Sequence, residues 1–459
     1  MRAAVAAGHP ATTDAGIEVL QEGGTAADAT VAASLASCVA ETLMTGLLGG
    51  GHAIYYEAET GRARNLDCFV AVPGLGAGSR EVALVELDVP FGQELVHYAV
   101  GIGSCGVPGL PAGLHELWTA HGRLPWARLC EPALRLARAG VELPAAHAAC
   151  LAMLAPVMTM NEGARIYAPG GALLREGQRL VQPGLADALG LLAEEGALSA
   201  YEGTLGDALV RLMEELGGLV TRRDLLAYRA RWAEPVAVQY CGAQVLSRSG
   251  LSTFPEAIAR LGPLSGLTPA ARALELVAAL ADREPGGHTT NVSVVDAAGN
   301  ACVLTTSLGL GSGDFLVPYD LHLNSMLGEA DLVRGPLEPS RRLGSMMAPA
   351  LTLDRDGLLL AAGAAGGTRL RGALVQVVAG ILDEGLAPAA AVEQPRLHPA
   401  GSVVHLEPGF DPGVAGALRA AGLEARVWPA RHHFFGGVSV VARDGAAGDP
   451  RRSGTAELL

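Results

Sequence analysis

A threonine hydroxyl is a weak nucleophile at neutral pH and becomes useful only with a base beside it. A threonine that begins a chain carries that base itself, because its own α-amine can accept the hydroxyl proton. Such a threonine has to be uncovered by cutting a precursor. The run Gly286-Gly287-His288-Thr289 has the form this requires: a loop, then threonine, then a strand-like stretch. The Thr289 hydroxyl would attack the His288 carbonyl and break the backbone there. A Thr-Thr pair also opens ordinary strands, so these residues alone leave both readings open.

Other chemistries find less support. The twelve histidines show no H-E-x-x-H spacing, which argues against a metal hydrolase. Cys38, Cys68, Cys105, Cys130, Cys150, Cys241 and Cys302 are scattered and never form C-x-x-C. They read as buried free thiols rather than a zinc site or a disulfide framework. His432-His433 runs into Phe434-Phe435 and reads as the start of a strand that continues to Ala442. The glycine-rich runs do not follow a strand into a βαβ unit, so no cofactor is expected and no metal.

The elements that must position Thr289 are readable from periodicity. After the loop at Glu284–His288, Thr289, Val292, Val294 and Val295 predict a strand. Ala297–Asn300 predicts a turn, and Cys302–Thr306 the return strand. Two helices are predicted near the N-terminus, the first capped by Asp14 and the second by Thr25. Gly49-Gly50-Gly51 leads into a strand at His52–Tyr56, and three glycines there mean a close backbone approach. Residues 111–230 are mostly helical, Thr221 caps a helix over Arg222–Tyr228, and Val236–Leu246 reads as a hairpin about Cys241-Gly242. Residues 247–288 are less regular, with one helix at Pro269–Ala281. Leu351–Asp354 and Leu358–Ala362 read as strands, and Gly366-Gly367 as a turn before a helix at Leu370–Leu382. Strands mixed with helices in both halves predict a layered α/β architecture.

Composition narrows the partners. Half of the 459 residues are hydrophobic, enough for a substantial core, and the formal charge of −14 argues against nucleic acid and against an anionic membrane surface. Without a signal-peptide h-region or a run of ~18 apolar residues, the expected location is the cytoplasm.

TTNVSVVDAAGN at 289–300 resembles the motif that opens the small subunit of the γ-glutamyltransferase family, the N-terminal-nucleophile hydrolases that process themselves. DAGIEVLQEGGTAADATVAA, GLLGGGHAIYY, EPALRLARAGVEL, TRRDLLAYRARWAEPV, RRLGSMMAPALTL and GAAGGTRLRGALVQVVAGILDEGL are similar to further family segments, in order along the chain. The resemblance implies a four-layer αββα sandwich built from a large subunit, 1–288, and a small subunit, 289–459. It implies autocleavage between His288 and Thr289, with Thr289 the catalytic nucleophile. Ser307 takes the place of the second hydroxyl that hydrogen-bonds the nucleophile. Gly366 and Gly367 take the place of the oxyanion-hole amides, a role for which donors contribute about 3–4 kcal/mol. The partners implied are a small amide or peptide-like substrate and the chain's own two subunits, with room for a homo-oligomer.

The pattern breaks in the residues that hold the acyl group. Phe69 stands where the family has an arginine that clamps the substrate α-carboxylate, Gly309 where it has asparagine, and Met326 and Glu329 where it has glutamine and aspartate. Of two adjacent binding serines Ser345 remains and Met346 replaces the other. Losing the arginine partner of a buried carboxylate costs about 3–5 kcal/mol, or about two to three decades of affinity. Arg341, Arg342, Arg369 and Arg371 are the candidates for a relocated clamp. The expectation is therefore a self-processing amide hydrolase or acyl transferase with altered, less charged acyl specificity. The alternatives are a tailoring hydrolase or acylase of a natural-product pathway acting on an amide or carbon–carbon bond, and an unprocessed binding or scaffold relative.

Overall fold

The computed structural model describes residues 1–76, 82–91, 94–281, 289–333 and 335–459. The Glu284–His288 loop expected from sequence, and with it His288, lies outside the described residues. No described helix is long and apolar enough to cross a membrane.

Two antiparallel sheets stack face to face. The first runs, edge to edge, Thr455–Leu458, Ala4–Ala7, Thr290–Val295, Ala301–Ser307, Gly50–Glu57, Arg62–Cys68 and Arg231–Ala233. The second runs Gly445–Ala447, Gly437–Ala442, Gly357–Ala365, Ala350–Asp354, Ala243–Ser247 and Val236–Tyr240. Both draw strands from before and after residue 289.

The period-2 alternation of strands sorts side chains between layers. Ala4, Ala6, Ile54, Val295 and Val303 face the second sheet and meet Leu246, Leu351, Ala361 and Val441. Val5, Ala7, Val292, Val294, Cys302 and Leu304 point the other way, against the helices Pro10–Gln21 and Ala26–Ala40. Leu370–Leu382, Phe254–Arg260 and Pro269–Ala279 cover the outer face of the second sheet. The result is an αββα sandwich whose core is built mostly of Ala, Val and Leu, as the scarcity of aromatics requires.

Several local expectations need correction. The first helix is capped by His9, not Asp14: Pro10 sets its first turn, and His9 Nδ1 accepts the Ala11 N–H at 3.0 Å. The Asp14 position is therefore already inside the helix. His433–Phe435 is a 3₁₀ turn and the strand begins only at Gly437, because Phe434 and Phe435 pack against Trp428 rather than into the sheet. Among the thiols Cys241 is exposed at its hairpin turn, whereas the other six are buried. The irregular stretch after residue 247 holds a second helix, Phe254–Arg260.

Candidate active site

Thr289 sits at the mouth of the strand Thr290–Val295 and is 1% exposed. The ladder pairs Thr290 with Thr306, the residues next to Thr289 and Ser307 on the two strands. From the second sheet the backbone N–H of Gly366 donates to Thr289 Oγ1 at 3.1 Å. Gly366 has φ +139°, and a Cβ there would lie 2.7 Å from Gly436 Cα, so only glycine brings that amide to the hydroxyl. Gly367 follows at φ +58° and opens the turn into the helix Leu370–Leu382. The glycine triplet has the same logic: a Cβ on Gly49 would meet Ser307 O at 2.2 Å, and one on Gly51 would meet Thr305 O at 2.5 Å. The first sheet can close beside Ser307 only without side chains.

Thr289 lines a small pocket together with Glu41, Met44, His147, Thr290, Asp449 and Arg452 among others. Buried Glu41 accepts hydrogen bonds from Thr290 Oγ1 and from Thr12 Oγ1. Burial pushes its carboxyl up to about 7, against the pull of those two hydroxyls and of Arg452. His147 is held neutral, pushed down to about 3 by burial and then by His9. Arg452 comes from the C-terminal turn, which the buried ion pairs Arg396–Asp449 and Arg451–Glu407 hold in place.

Three of the residues expected to contact the acyl group also meet. Phe69, Met326 and Met346 belong to one buried apolar cluster with Val70, Val72 and Met347. Gly309 (φ +72°) turns the chain after Ser307, whose Oγ accepts the Gly309 N–H at 2.9 Å. A Cβ on Gly309 would lie 2.6 Å from Ser325 Oγ and 2.7 Å from Glu329 Oε1, so the family's asparagine has no room here. Glu329 is buried, its Oε1 has no hydrogen-bond partner, and burial followed by Asp331 raises its carboxyl to about 8. At neutral pH it is a neutral acid, unlike an ionised aspartate. Ser345 uses its Oγ to accept the Met347 N–H.

A gamma-glutamyltranspeptidase family model matches residues 12–275 and 265–459, which together span nearly the whole chain. The chain belongs to that family. Its members are hydrolases and acyltransferases. Among relatives, the Acylase ACY 1 proenzyme of Pseudomonas sp. (strain V22) is 29% identical over 492 residues, covering 92% of this chain and 87% of that protein. The glutathione hydrolase proenzyme of Escherichia coli (strain K12) is 27% identical, covering 91% and 85%. A cephalosporin acylase from Bacillus halodurans superposes with a TM-score of 0.84 at 23% identity, covering 100% of this chain and 96% of that one, which shows the shared fold.

Against the family pattern, two of the four arginines expected near the acyl site are elsewhere. Arg369 Nε donates to the Phe434 carbonyl at 3.0 Å, and Arg371 donates to Thr253 and to the Leu280 carbonyl. Arg341 and Arg342 do line a cavity beside Ser345, and so does Arg248, which sequence reasoning missed. Glu41, Arg452 and Thr290 were missed as well. Glu41 lies 248 residues before Thr289 in the chain and ends a helix read only as apolar packing. The one available signal was the lone carboxylate after Ala40 in an otherwise apolar run.

Proposed function

We propose that the chain is a self-processing amide hydrolase or acyl transferase that works through an acyl-enzyme on Thr289, with an acyl specificity different from γ-glutamyl. The observation that carries this reading is the 3.1 Å contact between the Gly366 N–H and Thr289 Oγ1, made at a buried strand mouth. In this reading Thr289 Oγ attacks the His288 carbonyl, and hydrolysis of the resulting ester divides the chain into 1–288 and 289–459. The freed α-amine of Thr289 then takes the hydroxyl proton as Oγ attacks the substrate carbonyl. The Gly366 and Gly367 amides receive the oxyanion. Collapse expels the leaving amine, which takes the proton back, and water or a second amine releases the acyl group. Ser307 orients Thr289 from the neighbouring strand.

The altered specificity is supported by the apolar cluster of Phe69, Met326 and Met346 and by the neutral state of Glu329. A γ-glutamyl head needs a counter-cation for its carboxylate and a counter-anion for its ammonium. Neither Phe69 nor a protonated Glu329 supplies one. The acylase relative is consistent with a non-glutamyl acyl group.

The test is the intact mass of the denatured protein beside a Thr289→Ala control. Two fragments meeting at His288/Thr289, absent in the control, support the nucleophile. A single 46.8 kDa chain in both removes it and favours a binding role. Turnover of γ-glutamyl-p-nitroanilide at a rate typical of the family would refute the altered specificity.

A further inference from the structure

Strand alternation sorts the side chains at the mouth of the hairpin Thr290–Ser307 onto two faces. Thr289 and Ser293 meet the second sheet, through the Gly366 amide and the Ser439 carbonyl. Thr290 and Thr306, paired in the ladder, turn toward the helices. There one short segment grips both. Glu41, at the end of the helix Ala26–Ala40, accepts the Thr290 hydroxyl on Oε2 and the Thr12 hydroxyl on Oε1, the latter at 2.7 Å. Four residues on, Thr45 Oγ1 donates to Thr306 Oγ1 at 2.9 Å. The segment is fixed within itself, since the Met44 and Thr45 amides donate to the Glu41 carbonyl at 2.8 and 3.1 Å.

Two observations set Glu41 apart from packing. The helix before it is buried along its whole length, so an apolar residue would fill position 41 without the cost of burying a carboxyl group. Gly8 also makes way for the contact. A Cβ there would run into Glu41 Oε2 and Thr290 Oγ1. Gly8 does not adopt the left-handed backbone that would otherwise call for glycine.

The contact stands one residue from the proposed cut. Once cut, Thr289 keeps one peptide bond where it had two, and a chain end is poorly ordered unless it is tied down. A displacement of about 1 Å at a reacting atom can cost ~10²-fold in rate. We propose that Glu41 is a positioning residue for Thr289. Through the Thr290 hydroxyl it pins the start of the strand, as Thr45 pins Thr306 next to Ser307, and so keeps Thr289 Oγ at the Gly366 amide before and after the cut. The inference rests on the proposed nucleophile and names what holds it in place.

The test reads self-cleavage, in which the chain is its own substrate, as a first-order rate from the intact mass of freshly synthesised protein. Glu41→Leu keeps the bulk of the side chain and loses both acceptor oxygens, and it should slow the cut by roughly tenfold or more. Glu41→Gln can still accept from one hydroxyl and donate to the other, and it should stay within about threefold of the wild type. Thr290→Val should match Glu41→Leu. The double variant should be no slower than either single one, because both substitutions break the same bond. Losses that multiply in the double variant, Glu41→Gln as slow as Glu41→Leu, or unchanged rates in Glu41→Leu and Thr290→Val each overturn the inference. Hydrogen exchange separates positioning from unfolding: amides of the strand Thr290–Val295 should lose protection in Glu41→Leu and Thr290→Val, while those of Gly357–Ala365 keep it. Where Glu41→Leu loses protection throughout, Thr290→Val, which leaves the helix end intact, decides. A wild type that is never cut removes the proposed function whatever Glu41 does. A wild type cut no faster than Glu41→Leu and Thr290→Val removes the positioning role alone.

Discussion

The corner at Thr289 and the wall at Phe69 belong to the same sheet, yet they tolerate change very differently. At the corner, backbone does the work. Gly49, Gly51 and Gly366 stand where any Cβ would collide with a neighbouring main chain, and the Gly366 amide reaches Thr289 because of it. At the wall, side chains do the work. Phe69, Met326 and Met346 fill volume against one another, and a polar residue can be exchanged for an apolar one if the space stays filled. Chemistry that depends on backbone geometry admits few residue types, whereas recognition that depends on side chains can drift and leave the reaction in place.

The comparison can be broken most directly at the nucleophile. Thr289→Ala should abolish both self-cleavage and turnover, seen as one band by mass and no product, with Tm little changed. Gly366→Ala keeps the amide but places a Cβ 2.7 Å from Gly436 Cα. Moving that donor should lower kcat by roughly 10²-fold or more, measured on the cut enzyme. At the wall the expected loss is in stability. Phe69 is 1% exposed in the apolar cluster, and Phe69→Ala should cost about 3–5 kcal/mol by denaturant titration, while self-cleavage persists.

The smallest effect concerns pH and sharpens the contrast. Glu41 beside the corner and Glu329 beside the wall are both raised from an ordinary 4.5, to about 7 and about 8, chiefly by burial. The folded chain then holds these protons more tightly than the unfolded chain. Their contribution to stability is complete below about pH 4.5 and lost as pH rises through about 7 for Glu41 and about 8 for Glu329. Glu41→Gln and Glu329→Gln should each flatten the fall of Tm over that range. If Glu41 also positions Thr290 beside the nucleophile, only Glu41→Gln should also move the pH profile of turnover.

Much of the layered fold was legible because amphipathic strands and capped helices advertise themselves locally. Thr25 and Thr221 both cap their helices through capping boxes, as their spacing to Asp28 and Asp224 allows. The hairpin Thr290–Ser307 follows its apolar alternation and its Ala-Ala-Gly-Asn turn. Asp14 misled because a proline four residues earlier was the stronger start signal. The strand Ala4–Ala7 was invisible, since four small residues carry no periodicity until neighbours on both sides pair with them.

Thr289, Ser307 and the Gly366-Gly367 pair could be singled out in the sequence because they fall in segments that resemble the γ-glutamyltransferase family; by themselves they read equally as a strand start, a strand-end serine and a turn before a helix. That Gly366 touches Thr289, that Glu41 holds Thr290, and that Phe69, Met326 and Met346 share one cluster are decisions of the packed sheets alone. So is the presence of Arg248 beside Arg342. Those partners are tens to hundreds of residues apart, and only the stacking of the two sheets brings them within a hydrogen bond or a van der Waals contact. A lost arginine can be seen in a sequence; which arginines come to line the cavity beside Ser345 can be found only in three dimensions.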